Sequence, residues 1–482
     1  MRTNRKYTSS ALTAVMLLSA LLTMSCGQTE NELPSESGSS ETTAPQVVYT
    51  DMGGWEFTVN VRGENTGNGY FACTDFQAED MTGEPINDAV YERNRLIEDR
   101  YKCRIVQKYA SGDQFDEISK GVMAGDPTEA GIVLGTSAAK LAQNGMLIDI
   151  GSLDGIDLSK DCWDQNASSA FNISGKIYFV TGDMNLSTND STRVTIFSKG
   201  IVENSRLDDP YELVRDGKWT INKMLELAVS ANQDLNGDTR LTADDQVGLY
   251  VYNWAPQFFF YGCGERITTN SNDQIPELTL YNERSAEAVE LIWQVCNASR
   301  TDTLGGFSSD QFNLFFSDRC LFTQTSVSDV RNTFRTNCEK DFGILPMPKL
   351  NEEQERYYNL VSFQDVTHIW CIPVSCSNEE YAGILLEAFA EESSDTVRKA
   401  YYNTTLQGKV SRDNDSAEML DLIFDSRVYD LCLLFNWGSW DSYFTSMRNQ
   451  SSNTFASTYE SSKDLTIADI ESTIEAFTAN ES

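Results

Sequence analysis

The chain has 482 residues, with 72 Asp and Glu against 37 Lys and Arg, for a formal charge of −35 at neutral pH. A surface this acidic repels phosphate backbones and anionic headgroups, which argues against nucleic-acid partners. A single histidine, His368, and the lack of any Cys-x-x-Cys pair disfavour His-rich zinc catalysis, zinc ribbons and thioredoxin-type redox sites.

The chain opens with Arg2, Arg5 and Lys6, then a mostly apolar run from Ala11 to Leu22 that is too short to span a bilayer. It ends in Thr23-Met-Ser-Cys26, which resembles the lipobox of bacterial lipoproteins, with Cys26 as the expected lipidation site. The departure is Thr23 where Leu is usual. Residues 1–25 carry three positive charges and no negative ones, so their removal takes the charge from −35 to −38. Residues 26–47 contain no aromatic side chain and almost nothing apolar, and are expected to form a disordered tether with a reach on the order of 25 Å. The ten later cysteines are scattered through apolar segments such as Tyr101-Lys-Cys-Arg-Ile, the pattern of buried free thiols.

From residue 48 the patterning alternates between strand and helix periods. Trp55-Glu-Phe-Thr-Val-Asn-Val reads as a strand. A helix over Ile86 to Tyr101 follows, with Asn87 as its cap and Ile86 stapled to Tyr91. Next come a strand from Cys103, a helix from Gln114 to Met123, a strand at Gly131-Ile-Val-Leu-Gly and a helix from Ser137. That order implies a parallel sheet with right-handed crossovers. Further helices are expected at Ile221–Asn232 and Ser285–Cys296, and strands between Phe342 and Pro373, including Thr367-His-Ile-Trp-Cys-Ile. The tail reads as helices at Ser377–Glu391, Thr396–Tyr402, Ser416–Phe424 and Ile467–Phe477, the last with Thr466 and Asp469 as a capping box. A lobe that starts, is interrupted and resumes gives three expected parts: 48–185 as first lobe, 186–325 as second, and 326–482 as hinge return, remainder of the first lobe and C-terminal helices.

Residues 234–245 form a nearly complete twelve-residue calcium loop. Side-chain oxygens fall at Asp234, Asn236, Asp238, Thr242 and Asp245, and Arg240 would offer its carbonyl. Thr239 stands where Gly is usual, and Asp245 where a longer Glu is usual. A helix leads in but a strand leads out, so a bound Ca2+ would be structural rather than a sensor. The competing reading is an Asp/Asn-rich surface loop that binds nothing.

Several segments together resemble the family 1 extracellular solute-binding proteins of bacterial ABC importers. They are Ile86-Asn-Asp-Ala-Val-Tyr-Glu-Arg-Asn-Arg, Gly217-Lys-Trp-Thr, the calcium loop, Asp341-Phe-Gly-Ile-Leu-Pro-Met-Pro-Lys and the lipobox. The resemblance implies an α/β, two-lobed periplasmic-binding-protein-like fold of type 2, each lobe a mixed sheet flanked by helices, with hinge crossings. It also implies a monomer without catalysis, held on the outer face of the cell membrane, that captures a small solute, most often an oligosaccharide, and hands it to permease subunits.

Sugar sites pair flat rings with carboxylates and amides. By that chemistry the candidates are Tyr70 and Asp75 after the first strand, Asp183 and Asn185 after the strand Lys176–Val180, and Trp254 after the calcium loop. Asp365, ahead of the His368 strand, and Trp437, Trp440 and Tyr443 in an aromatic stretch complete the set. For each cluster core packing competes, above all for Phe258 to Tyr261. Two other functions stay open: a surface glycoside hydrolase using two of the many carboxylates, and a non-transport glycan-binding protein.

Overall fold

In the computed structural model the described residues are 49–63, 73–306, 310–363, 367–405 and 414–479. Cys26 and the expected tether, Tyr70 and Asp365 lie outside them.

Ten strands, numbered in chain order, build the two main sheets: β1 (Glu56–Arg62), β2 (Arg104–Ala110), β3 (Ala130–Leu134), β4 (Phe179–Val180), β5 (Arg193–Ser198), β6 (Val247–Tyr252), β7 (Leu304–Gly306), β8 (Cys320–Ser326), β9 (Phe342–Leu345) and β10 (His368–Cys371). The first sheet runs β2-β1-β3-β10-β4. As the alternation predicts, β1 is parallel to β2 and β3, while β10 is antiparallel to both β3 and β4. The second sheet runs β9-β5-β8-β6-β7, with β5 antiparallel to β8 and β9, and β6 parallel to β8 and β7. The chain therefore crosses from first sheet to second between Val180 and Arg193, and returns between Leu345 and His368. The expected lobe boundary at residue 325 is too early, because β9 hydrogen-bonds to β5 and belongs to the second sheet.

Hydrophobic burial holds each sheet to its helices. Phe57, Val59 and Val61 of β1 are fully buried, and Phe389 of the helix Glu379–Asp395 packs its ring 5.4 Å from Trp370 of β10. Under the second sheet Trp219 packs 5.2 Å from Phe322 of β8. Each such ring contributes roughly 1.5–3 kcal/mol by leaving water. All ten cysteines among the described residues are unpaired, and nine are buried.

Two helix starts differ from expectation. The first helix is Pro85–Tyr101, begun by a proline whose ring presets the helical φ; Asn87 instead donates its amide to the Asp80 carbonyl at 2.8 Å. The last helix is a single Phe455–Thr478, so Thr466 and Asp469 sit inside it rather than at its cap. Both work in tertiary contacts instead: the Thr466 hydroxyl accepts from the Trp440 indole at 3.0 Å, and Asp469 accepts from the Gly438 amide at 2.9 Å.

Candidate functional site

The first crossing is where the two sheets are fastened. Helix Leu186–Asp190 is capped by Asn185, whose side chain accepts from the Ser187 amide and donates to the His368 carbonyl at the start of β10. On the second-sheet side, Asp190 accepts from Arg331 Nε at 3.1 Å and from the Tyr401 hydroxyl at 2.9 Å. The Val327 amide donates to the Thr192 carbonyl at 3.1 Å. That places the short helix Val327–Asp329 beside the crossing.

At this junction β6 delivers two rings. Gly248 lets β6 lie directly on the helix Ile221–Ala231, because a Cβ there would fall 1.8 Å from the Ala228 carbonyl. The strand then ends at Tyr252, and Trp254 opens the helix Ala255–Gly262. Both rings are half-buried, with centroids 5.3 Å apart and planes at 48°. Arg193, first residue of β5, lays its guanidinium 4.7 Å from the centroid of Phe258, whose ring in turn lies 6.3 Å from Tyr252. Burial pushes the Tyr252 hydroxyl above its usual pKa; the nearby Arg193 charge opposes that shift and Asp329 adds to it. Asp329 is oriented by the Thr325 and Ser326 hydroxyls at 2.7 and 2.8 Å. Two partly exposed rings, a guanidinium and a carboxylate thus meet at the carboxyl end of a parallel strand, where α/β sheets collect ligands.

Of the expected site residues, Trp254 belongs to this junction. Tyr252, Arg193 and Asp329 were missed. Tyr252 carried a signal, an aromatic residue ending a strand two positions before Trp254, whereas Arg193 and Asp329 carried none. Asn185, 2% exposed, and Asp75, 7% exposed, brace the crossing from within. Asp75 accepts from the Leu186 amide at 2.6 Å and the Cys73 thiol at 3.3 Å, and burial raises its pKa. Asp183 accepts from the Ser394 hydroxyl at 2.6 Å and pairs with Arg398 at 3.3 Å, tying the crossing to the C-terminal helices. Trp437 and Trp440 need correcting. They are 1% and 2% exposed, and their indole N–H groups donate to Thr473 and Thr466 under the last helix. Tyr443, 6% exposed, packs 5.9 Å from both Trp440 and Phe455. These three rings are core, as are Phe258 to Tyr261.

The loop 234–245 sits at the foot of β6, its neck closed by the pairing of Gln233 with Gln246. One carboxylate oxygen from each of Asp234, Asp238 and Asp245 lies within 4.8 Å of the others. Asp234 accepts from the amides of Gly237 and Thr239, at 2.6 and 2.8 Å. Those bonds hold Thr239 at φ +64°, so a β-branched residue makes the sharp turn where Gly is usual. Asn236 accepts from the Asp238 amide and Asp238 from the Arg240 amide, both at 2.8 Å. The Thr242 hydroxyl donates to Asp245 at 3.0 Å, and Asp245 is fully buried. Hydrogen bonds, first of all from the Leu235 amide, hold the Asp245 carboxyl below its usual pKa. Three hard oxygen donors converging in a rigid turn fit a calcium ion.

No protein-family model matches the chain, and no curated protein matches it by sequence. By structure it is similar to the ABC substrate-binding protein of Listeria monocytogenes in complex with cycloalternan. The TM-score is 0.53 at 13% identity, covering 86% of this chain and 99% of that one. UspC of M. tuberculosis aligns with a TM-score of 0.56 at 12% identity, covering 86% and 100%. A cyclo/maltodextrin-binding protein complexed with maltotetraose aligns with a TM-score of 0.55 at 13% identity, covering 87% and 97%. Likeness at such identity shows the fold: two lobes of the type 2 periplasmic-binding-protein kind, each a mixed sheet flanked by helices.

Proposed function

We propose that this chain is a lipid-anchored, monomeric solute receptor of an ABC importer that captures an oligosaccharide between its lobes and delivers it to permease subunits. The observation that carries this reading is the half-buried Tyr252 and Trp254 pair beside Arg193 and Asp329 at the first crossing. Pyranose C–H faces stack on such rings, while guanidinium and carboxylate groups take the hydroxyl rim. The structural neighbours titled with cycloalternan and maltotetraose lend support through the shared fold.

Anchorage through Cys26, on the outer face of the cell membrane, rests on the Thr23-Met-Ser-Cys26 sequence and the polar tract behind it. A Ca2+ ion in loop 234–245 is part of the same proposal. Asp234, Asp238 and Asp245 would hold it, with Asn236, Thr242 and the Arg240 carbonyl completing the set, as a brace at the foot of the strand that ends in Tyr252.

Binding is favoured over hydrolysis because the carboxylates around the crossing are already engaged. Asp75, Asp183 and Asp190 all receive protein donors, which suits a scaffold better than a general acid. Isothermal titration against a panel of neutral oligosaccharides, with chromogenic glycosides assayed in parallel, tests the reading. Saturable one-to-one heat without turnover is expected. Glycoside turnover, or silence across the panel with heat from peptides or polyamines, would overturn it.

A further inference from the structure

A second groove, of about 300 Å³, shares no lining residue with the Tyr252 and Trp254 pair. Its walls include Arg266, Arg356, Tyr358 and Arg427, with Asn166 and Asp425 opposite in chemistry. Arg266 is held as a plank between two rings, its guanidinium 4.7 Å from the centroid of Tyr358 and 5.8 Å from that of Tyr261. Its Nη1 donates to the Glu265 carbonyl at 2.7 Å, and no carboxylate forms an ion pair with it among the described residues. Arg356 is exposed and makes no ion pair or hydrogen bond from its side chain to any described residue.

This breaks the pattern of the chain. Several other arginines that are buried or partly buried fill their forks within the protein: Arg331 with Asp190, Arg300 with Asp302, and Arg93 and Arg448 with backbone carbonyls. Arg427 follows that rule through Asp164 at 2.8 Å, yet its Nε is buried without an acceptor among the described residues. The wall beneath Arg266 is also rigid. Buried Asp430 accepts from the Ile267 and Thr268 amides at 2.9 and 3.2 Å, and from the Tyr261 hydroxyl at 2.9 Å. The backbone following Arg266 is therefore fixed before any ligand arrives, which lowers the ordering cost of binding.

We propose that this groove is a second ligand site, distinct from the oligosaccharide site, that takes a small oxyanion-bearing molecule of the acidic-sugar class. Arg266 and Arg356 hold the oxyanion, for which planar guanidinium forks are suited. Asp425 and Asn166 face hydroxyls. The inference does not depend on the proposed function, because none of its residues belongs to that site.

The test is calorimetric titration of the full chain with D-glucuronate, inorganic sulfate and D-glucose, on the wild type and on Arg356→Ala, Arg266→Gln and Trp254→Ala. The expected result is saturable binding of glucuronate with no heat from glucose. Binding weakens tenfold or more in Arg356→Ala and Arg266→Gln, and is unchanged in Trp254→Ala. Arg356 is exposed, so its variant keeps the fold even if Arg266→Gln does not. Sulfate binding as tightly as glucuronate, and lost in the same variants, identifies a free oxyanion as the occupant of the same site. No binding of either anion, affinity unchanged in Arg356→Ala, or loss in Trp254→Ala would overturn the proposal.

Discussion

His368 illustrates how one side chain records its surroundings. It opens β10, is 2% exposed, and its Nε2 is buried without a hydrogen-bond partner among the described residues. Burial, and secondarily the charge of Arg62, push its pKa down to about 3. The folded value lies below the roughly 6.5 of an unfolded histidine, so unfolding takes up a proton in that window. Stability is therefore lost as pH falls from about 6.5 towards 3, by roughly 2 kcal/mol at pH 5. Chemical denaturation at pH 8 and pH 5 is expected to show a steeper loss in the wild type than in His368→Gln. Equal losses would mean that the imidazole is not held neutral. The tryptophans teach a related lesson. Trp254, Trp437 and Trp440 look alike in sequence, and only burial separates the half-buried ring from the two whose indoles are satisfied by threonines.

At the level of elements, strands and helices with strong periodicity were legible in the sequence. The β1-α-β2-α-β3 order, its parallel pairing, and the helices from Gln114, Ile221 and near Ser285 fall within a few residues of expectation. Capping was less legible, because a polar residue near a helix start has competing partners. Asn87 serves the Asp80 carbonyl, and Thr466 serves Trp440 inside a longer helix. The candidate site was harder still. Arg193 comes from a strand and Asp329 from a short helix far away in the chain, and only the crossing joins them. The loop 234–245 is the element whose oxygens were read most directly from spacing, and its carboxylates do converge. Calcium bound only by the folded state raises stability by mass action, by about 2.7 kcal/mol at a hundredfold excess over Kd. Melting curves in millimolar calcium and in chelator should therefore differ by several degrees, and the difference should vanish in Asp234→Asn with Asp238→Asn. Identical wild-type curves would leave only an acidic turn.

Across the whole molecule, the second lobe is an insertion between β4 and β10 of the first sheet, and the two crossings carry the connection. The crossing at 181–192 is braced by Asp75, Asp183, Asn185 and Asp190, which explains why acidic and amide residues gather there. Sequence order alone announced an interrupted lobe. It misplaced the return, because β9 is a short apolar strand whose sheet is decided by its pairing with β5 rather than by its own pattern. Hinge closure around a ligand is the motion this arrangement permits. The central claim, sugar capture at the junction, is tested most directly by titrating the tightest-binding oligosaccharide into the wild type, Trp254→Ala and Trp437→Phe. Trp254→Ala is expected to lose affinity tenfold or more, about 1.4 kcal/mol, while Trp437→Phe binds as the wild type does. Unchanged affinity in Trp254→Ala, with loss in Trp437→Phe, would contradict it.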